Sequence, residues 1–158
     1  MTDDLYTRLA QLLTDSRQEL LAAIQAVPEG NWETAVFSDV LSWTVTDLLR
    51  HVADSERSMT QLMMQIREGG EGVPANFDLA RWNARIVEKS RHKSLTDLLT
   101  DLQANREALF AFMQSLTAAD WQKQGRHGSM QILSIAQICQ VIADHEIAHA
   151  ADMRRAKQ

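Results

Sequence analysis

The sequence predicts an all-α protein, a four-helix bundle with one additional short helix, and three observations carry that prediction. Apolar residues recur at helical spacing along four long stretches. Two of these stretches open on a hydroxyl residue followed three positions later by a carboxylate, the spacing of a capping box. No segment shows an alternating strand pattern, an Asn-Gly hairpin signal or an internal repeat. Residues 1–158 form one expected domain, long enough to bury a sizeable core. Hydrophobic residues make up 45% and charged residues 23%, which suits a water-soluble globular chain, and no apolar run reaches the roughly 18 residues of a membrane span. The net charge of -5 argues against a nucleic-acid partner. Met1-Thr2-Asp3-Asp4 is an acidic start unlike a signal peptide, and a single cysteine, Cys139, fits a reducing compartment, so a cytoplasmic protein is expected.

Leu5, Leu9, Leu12, Leu13, Leu20 and Ile24 define the first helix, which stops at Pro28-Glu29-Gly30. Asn31 to Ser42 has no sustained period but carries Trp32 and Phe37, with Trp43 just beyond, and reads as an ordered loop against the bundle. Thr44-Val45-Thr46-Asp47 opens the second helix, whose stripe is Val45, Leu48, Leu49, Val52, Met59, Met63 and Ile66, and Gly69-Gly70 ends it. Glu56 falls on that stripe, where a long side chain would reach the rim, and His51 on its flank. Asp78 caps a shorter helix from Leu79 to about Arg91, with Leu79, Trp82 and Ile86 as its apolar positions and a solvent-facing His92 beyond it. Ser94-Leu95-Thr96-Asp97 opens the next helix, with Leu95, Leu98, Leu99, Leu102, Leu109, Phe110, Met113 and Leu116 on its stripe. Ala118 to Ser129 reads as a connection holding Trp121 and His127, and the last helix runs from Ile132 to Arg155.

On that last helix, at about 100° per residue, Ile135, Ile138, Cys139, Ile142, His145, Glu146, His149 and Met153 share a face. Cys139 among them reads as a small core residue. Two imidazoles and a carboxylate thus point toward a core, where unpartnered polar groups cost on the order of 1–3 kcal/mol each. His145 and His149 stand one turn apart, so both can reach one ion at about 2.0–2.1 Å. If the second and last helices are antiparallel neighbours, His51 meets them at the same height, giving three imidazoles with positions left for water or substrate. Histidines hydrogen-bonded in a metal-free core are the plain alternative. His145-Glu146-Ile147-Ala148-His149 also satisfies the His-Glu-x-x-His zinc-protease signature. Only residues 150–158 follow, without a histidine or glutamate to serve as third ligand, and no sheet is expected to carry a peptide.

The stretch Ser42-Trp43-Thr44-Val45-Thr46-Asp47-Leu48-Leu49-Arg50-His51-Val52-Ala53-Asp54-Ser55-Glu56, the Trp82-Asn83 pair and Asp144-His145-Glu146-Ile147-Ala148-His149 together resemble the DinB-like superfamily, which includes the YfiT-type and bacillithiol-transferase-type four-helix bundles. The resemblance extends over nearly the whole chain in the same element order. It implies a divalent metal ligated by His51, His145 and His149, and no DNA binding despite the family name. Glu146 departs from the aspartate of the commoner family form.

The expected function is a metal-dependent enzyme that activates water or a low-molecular-weight thiol, because a divalent ion lowers the pKa of either. Neutral imidazoles suit zinc, nickel, iron or copper. Glu146, and in second place Glu56, is the candidate catalytic residue, taking a proton or orienting a ligand histidine. The resemblance favours thiol transfer over hydrolysis, with a small-molecule substrate. A non-enzymatic, metal-stabilised stress-response or binding bundle is the alternative. Ile147 and Ala151, on the outer side of the last helix, suggest a homodimer contact.

Overall fold

The computed structural model describes residues 2–36 and 43–156. Six helices and one hairpin follow in the order α1 (Thr2–Gln25), a 3-10 turn (Glu29–Asn31), α2 (Val45–Arg67), α3 (Leu79–Lys89), α4 (Leu95–Gln114), α5 (Ala118–Trp121), β1 (Gln124–Arg126), β2 (Ile132–Ser134) and α6 (Ile135–Arg155). Both expected capping boxes form. The Asp47 N–H donates to Thr44 Oγ1 at 3.1 Å while the Thr44 N–H donates to Asp47 Oδ2 at 3.2 Å, and Ser94 and Asp97 repeat the exchange. Two further boxes, Thr117 with Asp120 and Ser134 with Gln137, start α5 and α6. The loop after α1 is held by main-chain bonds from Val36 to Trp43 and from Thr46 to Trp32, whereas Phe37 and Ser42 lie outside the described residues.

The expectation of no strands is corrected by the hairpin. Gly125 pairs with Leu133 at its centre, and the Gln-Gly-Arg strand has no apolar alternation that a period-2 pattern could reveal. Its stability is main-chain in origin: the Arg126 N–H donates to Glu71 O at 2.8 Å and the Val73 N–H to Arg126 O at 2.9 Å. This latch ties the α2–α3 connection to β1 through Gly72, where φ is +93° and a Cβ would stand 2.3 Å from Arg126 backbone atoms.

Helix directions follow from the partners. Ser16 and Glu19 of α1 reach Glu146 and Arg154 of α6, so these two run parallel. Asn105 and Arg106 bond α2 at Ala53 and Glu56, and Ser115 meets Arg67, so α2 and α4 are also parallel. His51 meets His145 while Met63 meets Cys139, which makes α2 and α6 antiparallel neighbours. The bundle is therefore up-down-down-up, its long crossover between α2 and α4 carrying α3.

The core comes in two apolar blocks. One centres on Leu9, Leu13, Met63, Leu109, Ile138 and Ile142, the other on Leu20, Leu49, Val52, Leu102, Ala150 and Met153. Between them, one charged residue from each long helix closes a buried layer: Arg17 of α1, Glu56 of α2, Arg106 of α4 and Glu146 of α6. Arg17 Nη2 donates to Glu56 at 2.6 Å and its Nε to Glu146 at 2.7 Å, Arg106 Nε donates to Glu56 at 2.9 Å, and Arg106 Nη2 also reaches Glu146. Two positive and two negative charges cancel.

Candidate metal centre and the cavity beside it

His51, in the second turn of α2, and His145 and His149, one turn apart on α6, converge because α2 and α6 are antiparallel and packed together. His51 Nε2 lies 3.0 Å from His145 Nε2, which lies 3.0 Å from His149 Nε2. Two nitrogens bound to one ion at 2.0–2.1 Å stand roughly 2.8–3.4 Å apart for angles between 90° and tetrahedral, so these two separations match a shared ion, and all three ligand nitrogens lie within 4.8 Å of one another. The donor set fits a metal on protonation grounds too. His149 Nδ1 lies 3.0 Å from Asp152 Oδ2, so its proton sits there and its Nε2 presents a lone pair. Ser55 Oγ gives its proton to His51 O at 2.7 Å and stands 3.4 Å from His51 Nδ1, which leaves it to accept the Nδ1 proton and again turns a lone pair inward. Two inward lone pairs on either side of His145 cannot both be satisfied by one proton on its Nε2. A divalent cation satisfies all three.

Electrostatics agree. Burial first, and the neighbouring His149 second, push His51 down to about 3. Burial, with His149 and His51 nearby, takes His145 well below the usual histidine value. Burial also lowers His149, against the opposing pull of Asp152. Neutral imidazoles are the state that binds metal. Trp43 covers the outer side of His51 with ring centroids 5.1 Å apart.

Glu146 is placed elsewhere. Successive helical residues point about 100° apart, so with His145 turned toward α2, Glu146 turns toward α1 and α4. Its carboxylate accepts from Ser16 Oγ at 2.9 Å, from Arg17 and from Arg106. The expectation that it works as a base at the metal finds no support in this geometry, and Glu56, in the same charged layer, is committed likewise instead of reaching the rim.

Beside the histidines lies a cavity of about 380 Å³, within the range of small-molecule sites. His51 and His145 line it. Met59 and Leu62 of α2, Val73 and Phe77 of the crossover, Leu79 and Trp82 of α3 and Val141 of α6 supply apolar walls, with Asn83 and several serines and glutamines among them. His127, from the hairpin turn, lines the cavity as well. In the sequence it is a histidine between glycines within a connection, with no pattern of its own that places it at a cavity. Trp121 and Trp32 do not line this cavity: Trp121 is buried in one core block and Trp32 packs against the other. Cys139 is core, as expected, its thiol pushed up to about 12 by burial.

Comparison with known proteins follows the same lines. The chain resembles the structure of a mycothiol-dependent maleylpyruvate isomerase with a TM-score of 0.77 at 13% identity, over 97% of this chain and 62% of that one, so it spans less than two thirds of that protein. It resembles YfiT from Bacillus subtilis, described as a probable metal-dependent hydrolase with an unusual four-helix bundle topology, with a TM-score of 0.71 at 20% identity, over 95% and 86% of the two chains. A protein from Clostridium difficile 630 matches over 96% of this chain and 95% of its own, with a TM-score of 0.72 at 14% identity. No curated protein sequence matches. At these identities the likeness establishes the fold, and the DinB superfamily sequence profile matches residues 12–153, so the chain belongs to the DinB superfamily.

Proposed function

We propose that this protein is a metal-dependent enzyme acting on a small molecule, with His51, His145 and His149 holding a divalent ion, zinc, nickel or iron. The observation that carries the reading is the convergence of three Nε2 atoms whose outer nitrogens on His51 and His149 are already occupied by Ser55 and Asp152. A divalent ion held there supplies a lowered pKa to a coordinated water or thiol, the chemistry shared by hydrolysis and thiol transfer. The residues of the chain do the rest: Asp152 and Ser55 fix ring orientation, Trp43 packs against His51, and the cavity gives a substrate access to His51 and His145. A low-molecular-weight thiol as co-substrate is supported by the fold's likeness to the mycothiol-dependent isomerase. The cavity favours an enzyme over a bundle in which the ion only ties helices together. A homodimer through Ile147, exposed on the outer face of α6, completes the reading and is checked by light scattering.

The deciding experiment is metal content by mass spectrometry on protein prepared without a histidine tag or chelator, beside His51→Ala. Near-stoichiometric metal in the parent and loss in the variant support the reading. Absence of metal from the parent after reconstitution with zinc, nickel and iron would remove it.

A further inference from the structure

The cavity has two features beyond its contact with the histidine cluster. Among the described residues, no Asp, Glu, Lys or Arg side chain lines it. A charged group on a ligand body would thus lose its hydration without gaining a counter-ion, a costly exchange. Its apolar walls include the Phe77–Trp82 pair, ring centroids 5.8 Å apart and tilted by 50°, which offers an aromatic face and edge to a flat ligand. Trp82 is 40% exposed, so a ligand would cover surface that the chain itself leaves open.

The second feature is the protonation of His127. The Ser129 backbone N–H donates to His127 Nδ1 at 3.1 Å, and Ser129 Oγ lies 2.9 Å from the same atom. Nδ1 is therefore the acceptor and Nε2 carries the proton of the neutral ring. Burial, by lowering the pKa, favours that neutral ring. Nε2–H points at Met59 Sδ, 3.5 Å away, and a thioether is a weak acceptor. A half-buried donor held by its turn and aimed at a poor acceptor inside a cavity is a recognition group awaiting a better partner.

We propose that this cavity binds an uncharged small molecule with an apolar, ring-sized body and an oxygen that accepts the Nε2–H of His127. The proposal rests on the metal reading only for orientation, since it sets the reactive end of such a molecule toward His145; binding to the cavity stands without it.

The test uses benzamide, benzoate, benzylammonium and toluene as probes, followed by NMR of the Met59 and Val141 methyl groups and the Trp82 indole, on metal-free and zinc-reconstituted protein. In the metal-free protein, benzamide should bind at least about tenfold more tightly than benzoate or benzylammonium. His127→Ala should weaken benzamide by roughly 2- to 12-fold, the range of one neutral hydrogen bond, and leave toluene unchanged. His127→Gln, which keeps an N–H donor, should recover part of the loss, and Trp82→Ala should weaken benzamide and toluene together. Thermal unfolding of each variant reports that it is folded. Equal or tighter binding of a charged probe to the metal-free protein, equal losses for toluene and benzamide in His127→Ala, or no binding of either neutral probe would overturn the proposal. Failure to take up zinc would count against the metal reading alone, because the metal-free titrations still report on the cavity.

Discussion

Glu146→Gln separates a structural from a catalytic carboxylate at this position. In the folded protein the Glu146 side chain is 2% exposed and accepts hydrogen bonds from Ser16, Arg17 and Arg106. Glutamine is nearly isosteric, but it removes one negative charge from a neutral four-charge layer and places an NH2 donor against an arginine donor. Breaking one partner of a buried ion pair costs about 3–5 kcal/mol. A domain holds about 5–15 kcal/mol in total, so the loss takes roughly a fifth or more of the stability. At roughly 2–4 °C per kcal/mol for a chain of this size, the melting temperature should fall by about 6–20 °C. Urea unfolding followed by circular dichroism should show a lower midpoint with an unchanged m-value. Adding Arg17→Met, which leaves the Glu56–Arg106 pair neutral, should recover part of the loss, so the two substitutions should be non-additive by at least about 1 kcal/mol. A loss below about 1 kcal/mol in Glu146→Gln, accompanied by loss of activity at full metal occupancy, would refute the structural assignment and restore Glu146 as a base at the metal.

Asp152→Ala should lower metal affinity by about 10- to 100-fold, measured by competition with a chromogenic chelator, because the carboxylate at 3.0 Å fixes the Nδ1 proton of His149; unchanged affinity would show that it does not orient the ring. His149→Ala should abolish metal binding with helix content retained, since alanine is a good helix former and Ile135, Ile138 and Ile142 are untouched. Gly72→Ala should destabilise the protein and loosen the crossover, read as faster amide exchange at Val73 and Arg126, because its Cβ would meet backbone 2.3 Å away at a φ of +93°. The metal-free protein should lose stability as pH falls from 6.5. His51 is lowered to about 3 when folded, so between these values the unfolded chain binds more protons, and stability drops toward acid. Thermal melts should show a shallower decline in His51→Ala, and an identical slope would count against a buried neutral His51.

The legible parts of the fold were those written in local pattern. Thr44-x-x-Asp47 and Ser94-x-x-Asp97 fix helix starts through bonds within one turn, and the leucine stripes of α1 and α4 show which face is buried. The histidine convergence was readable because position along each helix gave height and only one arrangement, α2 against α6, was needed. The charged layer was not readable. Arg17 is flanked by polar residues and looks like solvent face, while its partners stand 39 and 129 positions away in the chain, a pairing that periodicity does not encode. Placing His145 and Glu146 on one face blurred a separation of about 100°, which sends one toward α2 and the other into the layer. The hairpin escaped for a different reason: its strands are three residues long and are held by main-chain bonds to Glu71 and Val73, which leave no side-chain signature.

The charged layer also acts as a register key. Leucine and isoleucine blocks tolerate a slide of one helical turn, about 5.4 Å, because one apolar contact replaces another. Four charges contributed singly by four helices do not, since any helix that slips leaves its own charge and those of its neighbours buried without partners. Glu146 is covalently next to His145, so locking the height of one on α6 locks the height of the other against α2. The height at which His51, His145 and His149 meet is thus set by a layer built from other side chains.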